Sequence, residues 1–308
     1  MISPTVSLVL DFLRVGSALL VVVYHLPNYG FAADFRGGNS FGHLMVVVFF
    51  VLSGYVVAAA EERERTRGAW AYAVARVSRI FSVLWPVLLV VGGIEWVLAH
   101  TAGSLRPEDF SRDGAGARYA LTAVMANEVW WWSSAPLLMG PAWSLAYEVY
   151  YYALYGIACA PWRWRTKGAL LGLGLLVIGP KACLLAPAWF LGVALYRWGD
   201  AVRPSVAGGW AGIGAGVGLG AWALASGWYF PGYPAEAPLY FSNSWVSDLV
   251  FAISPGLVIW GASGLVRTPG WLARIEGPIR GLAAVSFTLY LMHRPLLALV
   301  AHFSGHDR

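Results

Sequence analysis

Apolar blocks, most of them near twenty residues long, recur from one end of this chain to the other, and no other feature of the sequence restricts its fold so sharply. A helix of about twenty residues crosses the ~30 Å hydrocarbon core of a bilayer, and only helices and closed barrels satisfy their backbone polar groups there. The blocks fall at residues 6–27, 41–60, 80–99, 119–132, 141–160, 168–185, 187–198, 208–229, 246–265 and 282–303. The expected fold is therefore all-α, a polytopic transmembrane helical bundle of about ten apolar segments. The last block ends near residue 308, so a single transmembrane domain over 1–308 with no appended soluble domain is expected. Charged residues make up 12% of the chain, half the ~25% of soluble domains and too few to coat a globule of this length.

The net charge of +5 is read as topology rather than as a nucleic-acid footprint, because the basic residues sit in short loops between apolar blocks. Loop 61–79 holds Arg63, Arg65, Arg67, Arg76 and Arg79, the stretch 162–168 holds Arg163, Arg165 and Lys167, and Arg267, Arg274 and Arg280 follow later. The stretch 230–245 has no Lys or Arg, and 100–118 is balanced between base and acid. Placing the basic loops inside puts the N-terminus in the cytoplasm. The rule holds along the whole chain if 119–132 is re-entrant and does not cross, so that is the expectation. Cys159 and Cys183 form no metal-ligand spacing, no metal site is expected, and no nucleic-acid partner is implied.

Ionisable residues at bilayer depth mark functional positions by default. In the first block, Asp11, Arg14 and His25 follow helical i+3/i+4 steps through Ala18 and Val21 and share one face. Arg14 and His25 are eleven positions apart, ~16 Å along a helix. In the stretch 140–152, Ser144 and Glu148 are four apart on one face, and Glu148 has no basic neighbour in sequence. It needs a partner from another helix, and His25 is the candidate: a carboxylate beside an imidazole fixes its tautomer and raises its basicity. Arg76 and Arg79, one turn apart, suit phosphate or pyrophosphate groups, or equally ordinary anchoring at the membrane surface. Tyr290, His293 and Arg294 lie in the last block, where a lone histidine more often packs than reacts. Glu95, Glu128, Lys181 and Asp248 are buried polar residues without an assigned role.

Five of these stretches resemble, in order, the acyltransferase family 3 membrane proteins. Arg14 and His25 have the spacing of the family's first-helix Arg/Lys–His pair, and "VVFFVLSGYVV" around Ser53 resembles its Phe-Phe-x-x-Ser-Gly segment. "RVSRI" resembles its R-x-x-R, "PAWSLAYEVYYY" its Trp-Ser-Leu-x-x-Glu stretch, and "FTLYLMHRPLL" its terminal Tyr-Leu-x-His stretch. The resemblance implies an acyl-CoA-dependent O-acyltransferase of the membrane, commonly moving acetyl from acetyl-CoA to a hydroxyl of a carbohydrate or glycan of the cell envelope. It implies no permanently bound cofactor, and a bacterial inner membrane. His25 and Glu148 are then the catalytic pair. Arg14, Arg76 and Arg79 bind the CoA phosphates. Asp11, Ser53, Ser144, Tyr290 and His293 support them. Whether His25 acts as general base or is itself acylated stays open, as does the acceptor, which in some relatives is a macrolide-like natural product. A proton-coupled transporter without acyl chemistry is the rival class, and an assembly subunit whose buried charges only pair helices is a third.

Overall fold

The computed structural model describes residues 2–35, 40–101, 114–227 and 239–305. Among them there is no strand. In chain order the helices are α1 Pro4–His25, α2 Phe41–Glu64, α3 Gly68–Thr101, α4 Ala115–Ala123, α5 Ala142–Cys159, α6 Trp164–Ile178, α7 Pro180–Trp198, α8 Val206–Ser226, α9 Trp245–Ser263, the five-residue α10 Gly270–Arg274, and α11 Glu276–Ser304. Among the described residues, five helical stretches are long and apolar enough to cross a membrane: Pro4–Tyr29, Phe41–Thr101 (α2, a short turn and α3), Pro180–Val202, Trp245–Ser263 and Glu276–Ser304. The all-α class stands; five candidate spans by length and composition are found among the described residues, where about ten apolar segments were expected. Much of the two loops without basic excess, residues 102–113 and 228–238, lies outside the described residues.

Block 119–132 is not a helix throughout. α4 covers nine residues, ~14 Å of rise and too short to span. The chain then runs irregularly from 124 to 136. Met125 and Trp130 take positive φ of 57° and 51°, which side chains with a Cβ adopt at a cost.

The helices cluster into two compact units, each assembled from separate stretches. The first comprises Met1–Val21, Gly38–Thr66 and Cys183–Phe287. Its most extensive pairing is α8 on α9, made possible by a stripe of glycines. A Cβ at Gly209, Gly212 or Gly216 would lie 2.7–2.8 Å from atoms of α9, and one at Gly261 would lie 2.5 Å from the Gly209 carbonyl. Small residues at this spacing let two backbones approach within a bilayer, where lipid is as apolar as leucine and packing drives association. The Ser254 hydroxyl donates to the Gly216 carbonyl at 2.8 Å and ties the pair. The same device joins α2 to α7. A Cβ at Gly54 would sit 1.9 Å from the Trp189 carbonyl oxygen, and one at Gly192 2.0 Å from that of Val51.

The second unit comprises Val22–Gly37, Arg67–Ala182 and Thr288–Arg308. α5 packs against α3 and α6, and α3 against α4. Its irregular segment after α4 is held by polar anchors. Glu95 of α3 accepts from the Tyr119 hydroxyl at 2.8 Å and from the Leu138 amide at 2.9 Å. Lys181, fully buried, donates to Glu128 and to the Trp132 carbonyl, both at 2.7 Å, and Ser133 donates to the other Glu128 oxygen at 2.6 Å. The Trp130 amide and indole donate to the carbonyls of Ile178 and Leu176 at the end of α6. Non-helical backbone at membrane depth is tolerated when protein groups satisfy it in this way.

Candidate active site

α1 ends at His25 because Pro27 follows two residues later. A residue before proline is pushed away from helical geometry, and the chain turns through Leu26–Tyr29 to Gly30, whose φ of 76° closes the turn. His25 therefore stands half-buried at the last position of the helix. Its ring lies 5.1 Å from that of Tyr24 and 4.9 Å from that of His293, centroid to centroid.

His293 comes from α11 and is buried, 2% exposed. Its Nδ1 lies 2.7 Å from the carbonyl oxygen of Tyr290. A carbonyl only accepts, so Nδ1 carries the proton and Nε2 presents its lone pair. Pro295, two residues on, leaves the helical ladder without one N–H at this level. One turn earlier, the Tyr290 hydroxyl shares a 2.9 Å hydrogen bond with Ser144 and lies 3.3 Å from the Pro141 carbonyl, to which Ser144 also donates at 3.2 Å. Ser144 occupies the first turn of α5, and Glu148 follows one turn later and accepts from the Tyr152 hydroxyl at 3.0 Å. The next residue of α11, Arg294, passes over Gly140, where a Cβ would meet its Nη1 at 2.1 Å, and donates from Nε to the Tyr29 hydroxyl at 3.3 Å. Three stretches far apart in sequence, 24–29, 140–152 and 290–294, thus meet in one place.

Farther along α5, Tyr152 also lines a cavity of about 300 Å³ between α3 and α5, with Tyr72, Arg76, Ile80, Gly156 and Trp162 among its walls. Arg76 is buried with its guanidinium 5.7 Å from the centre of the Tyr72 ring. Arg79, one turn on, is exposed. The two arginines of this motif therefore differ in setting: one faces a carbon-lined cavity, the other the surface.

The remaining expected site residues belong to the first unit. Arg14 pairs with Asp11 at 3.5 Å, and Asp11 also accepts from Arg280 at 3.1 Å. Ser53 accepts from the indole of Trp189 at 3.2 Å, beside Gly54 at the crossing of α2 and α7. A further pair escapes the sequence reading: the half-buried His43 places Nε2 3.0 Å from the buried Asp248 at the starts of α2 and α9. The signal for Glu95, Glu128, Lys181 and Asp248 was only that each is ionisable inside an apolar stretch. The structure brings His25, Ser144, Tyr290 and His293 together and adds Arg294, while Tyr152 joins them only through Glu148.

The family model for the acyltransferase domain matches residues 8–307, nearly the whole chain. No curated protein and no solved structure matches. The apolar helices and the matched domain together make this an integral membrane protein and an enzyme of acyl transfer. The chain belongs to the acyltransferase family 3.

Proposed function

We propose that the protein transfers an acyl group, acetyl in the simplest case, from acyl-CoA to a hydroxyl of a carbohydrate or glycan acceptor of the cell envelope. It acts in a bacterial inner membrane with its N-terminus in the cytoplasm. The observation that carries this reading is the convergence just described: a histidine at the end of α1, a second histidine from α11, and the Ser144–Glu148 face of α5, all in one unit.

In this reading, Arg14, Arg76 and Arg79 bind the CoA phosphates, since guanidinium forks suit phosphate oxygens. The pantetheine arm brings the thioester to His25. The reaction breaks the C–S bond of the thioester, forms a C–O bond to the acceptor, and delivers the acceptor's proton to the departing thiolate. His25 provides the nitrogen that acts on donor or acceptor, and Glu148 orients it. No cofactor is bound permanently; acyl-CoA is a substrate.

The test is CoA release from acetyl-CoA by purified protein, compared with His25→Ala and Glu148→Gln and controlled by thermal melting. Release that vanishes in a stable His25→Ala variant and drops by about 10²-fold or more in Glu148→Gln supports the reading. A stable, fully active His25→Ala variant refutes it. Proton-coupled uptake in vesicles without CoA release favours a transporter.

A further inference from the structure

We propose that His293 is a second catalytic base of this site: Nε2 takes the proton of the attacking hydroxyl while His25 carries the acyl group. The inference rests on the acyl-CoA reading above and assigns the step that reading leaves open.

Three observations support it. The hydrogen bond to the Tyr290 carbonyl at 2.7 Å fixes the proton on Nδ1 and leaves Nε2 as a lone pair. That Nε2 is buried and has no hydrogen-bond partner among the described residues. Buried polar atoms are nearly always satisfied, so an orphaned ring nitrogen calls for an explanation, and a substrate hydroxyl supplies one. The ring lies 4.9 Å from that of His25, close enough for both imidazoles to act on one reacting carbon. A packing histidine needs no lone pair held open beside another imidazole.

The chemistry balances with two rings. A nitrogen of His25 attacks the thioester carbon; the C–N bond forms, the C–S bond breaks, and the thiolate leaves with the proton shed by the imidazolium. The acceptor hydroxyl then attacks the acyl-imidazole as His293 Nε2 takes its proton. The C–O bond forms and the C–N bond breaks. His293 returns that proton to the departing nitrogen of His25, and both rings end neutral. Neither oxidant nor metal enters the sequence. Tyr290 positions His293 through its carbonyl and is itself tied to Ser144 through its hydroxyl.

Water serves as the probe acceptor, so the acceptor need not be known. His293→Asn keeps an N–H for the Tyr290 carbonyl and removes the base. With acetyl-CoA, the wild type releases CoA steadily by slow hydrolysis. His293→Asn is expected to release one equivalent, gain the mass of one acetyl group at His25, and then stall, with steady turnover lower by about 10²–10⁴-fold. Hydroxylamine, a nucleophile that needs little base assistance, restarts release in the variant. A merely structural role cannot produce a burst that hydroxylamine relieves. Loss of the first equivalent in a variant that melts normally overturns the proposal, as does steady hydrolysis at the wild-type rate. His293→Gln serves the same test if the asparagine variant does not fold. A wild type that releases no CoA overturns the acyl-CoA reading itself.

Discussion

Removing the ammonium of Lys181 should unseat the irregular segment after α4 before anything else in its unit gives way. Lys181 and Glu128 are both wholly buried, 2.7 Å apart, and the same ammonium holds the Trp132 carbonyl at 2.7 Å. Lys181→Met keeps the aliphatic stem but leaves a carboxyl group and a carbonyl without their donor. Breaking a buried pair from one side costs about 3–5 kcal/mol. At 2–4 °C per kcal/mol for chains of a few hundred residues, the melting point in detergent should fall by roughly 6–20 °C. Replacing both partners, Glu128→Leu with Lys181→Met, removes the stranded charge together with its counter-charge. That double variant should recover at least half of the loss, because buried ion pairs are often nearly neutral against apolar replacements of similar volume. The assay is a double-mutant cycle by intrinsic-fluorescence melting, with hydrogen exchange over residues 124–136 as the local readout. Two results refute the reasoning: a Lys181→Met variant that melts like the wild type, or a double variant as damaged as the two single variants summed.

Other perturbations separate the kinds of contact in the first unit. Gly54→Ala places a methyl 1.9 Å from a backbone oxygen that cannot rotate away, so α2 and α7 must part, at about 1–3 kcal/mol or more. Gly16→Ala, with nothing within 4 Å of the added carbon, should melt at or slightly above the wild type, since alanine is the better helix former by up to ~1 kcal/mol. Arg280→Ala breaks ion pairs with Asp11 and Glu276 but starts from a side chain 42% exposed. It should shift melting by less than ~1 kcal/mol equivalent, and less still in high salt.

How far the sequence discloses this molecule depends on the range of the interaction. Helices were legible wherever an apolar run continued: α2, α5, α8 and α9 begin and end within about four residues of the expected blocks. α3 begins at Gly68, twelve residues before its apolar block, because the amphipathic turn holding Tyr72 and Arg76 is helical as well. At 119–132, expected to be re-entrant, the groups that hold the backbone in place were not legible. Met125 and Trp130 adopt left-handed geometry, and the Trp130 amide and Trp132 carbonyl are satisfied by Ile178 and Lys181, 48 and 49 positions away. Composition carries no trace of such partners. Within one helix, spacing sufficed: Asp11 does pair with Arg14 one turn away, and Ser144 lies one turn from Glu148. Between helices it did not. For His293, spacing alone favours packing and the resemblance a supporting role; that its ring lies beside that of His25, 268 positions earlier, is disclosed only by the fold.

The way Arg294 bridges two distant turns bears on when this protein becomes an enzyme during its own synthesis. Tyr29 and Gly140 both belong to stretches made early, yet the residue that touches each of them lies in the last helix. A ribosome that has completed α9 has already delivered His25, Ser144 and Glu148 to the bilayer, without Tyr290, His293 or the arginine clamp. In the proposed mechanism, chains in that state hold half of a reaction centre. On the mechanism proposed above, a chain without α11 acylates His25 at most once, and sustained turnover begins only when α11 brings His293 beside it.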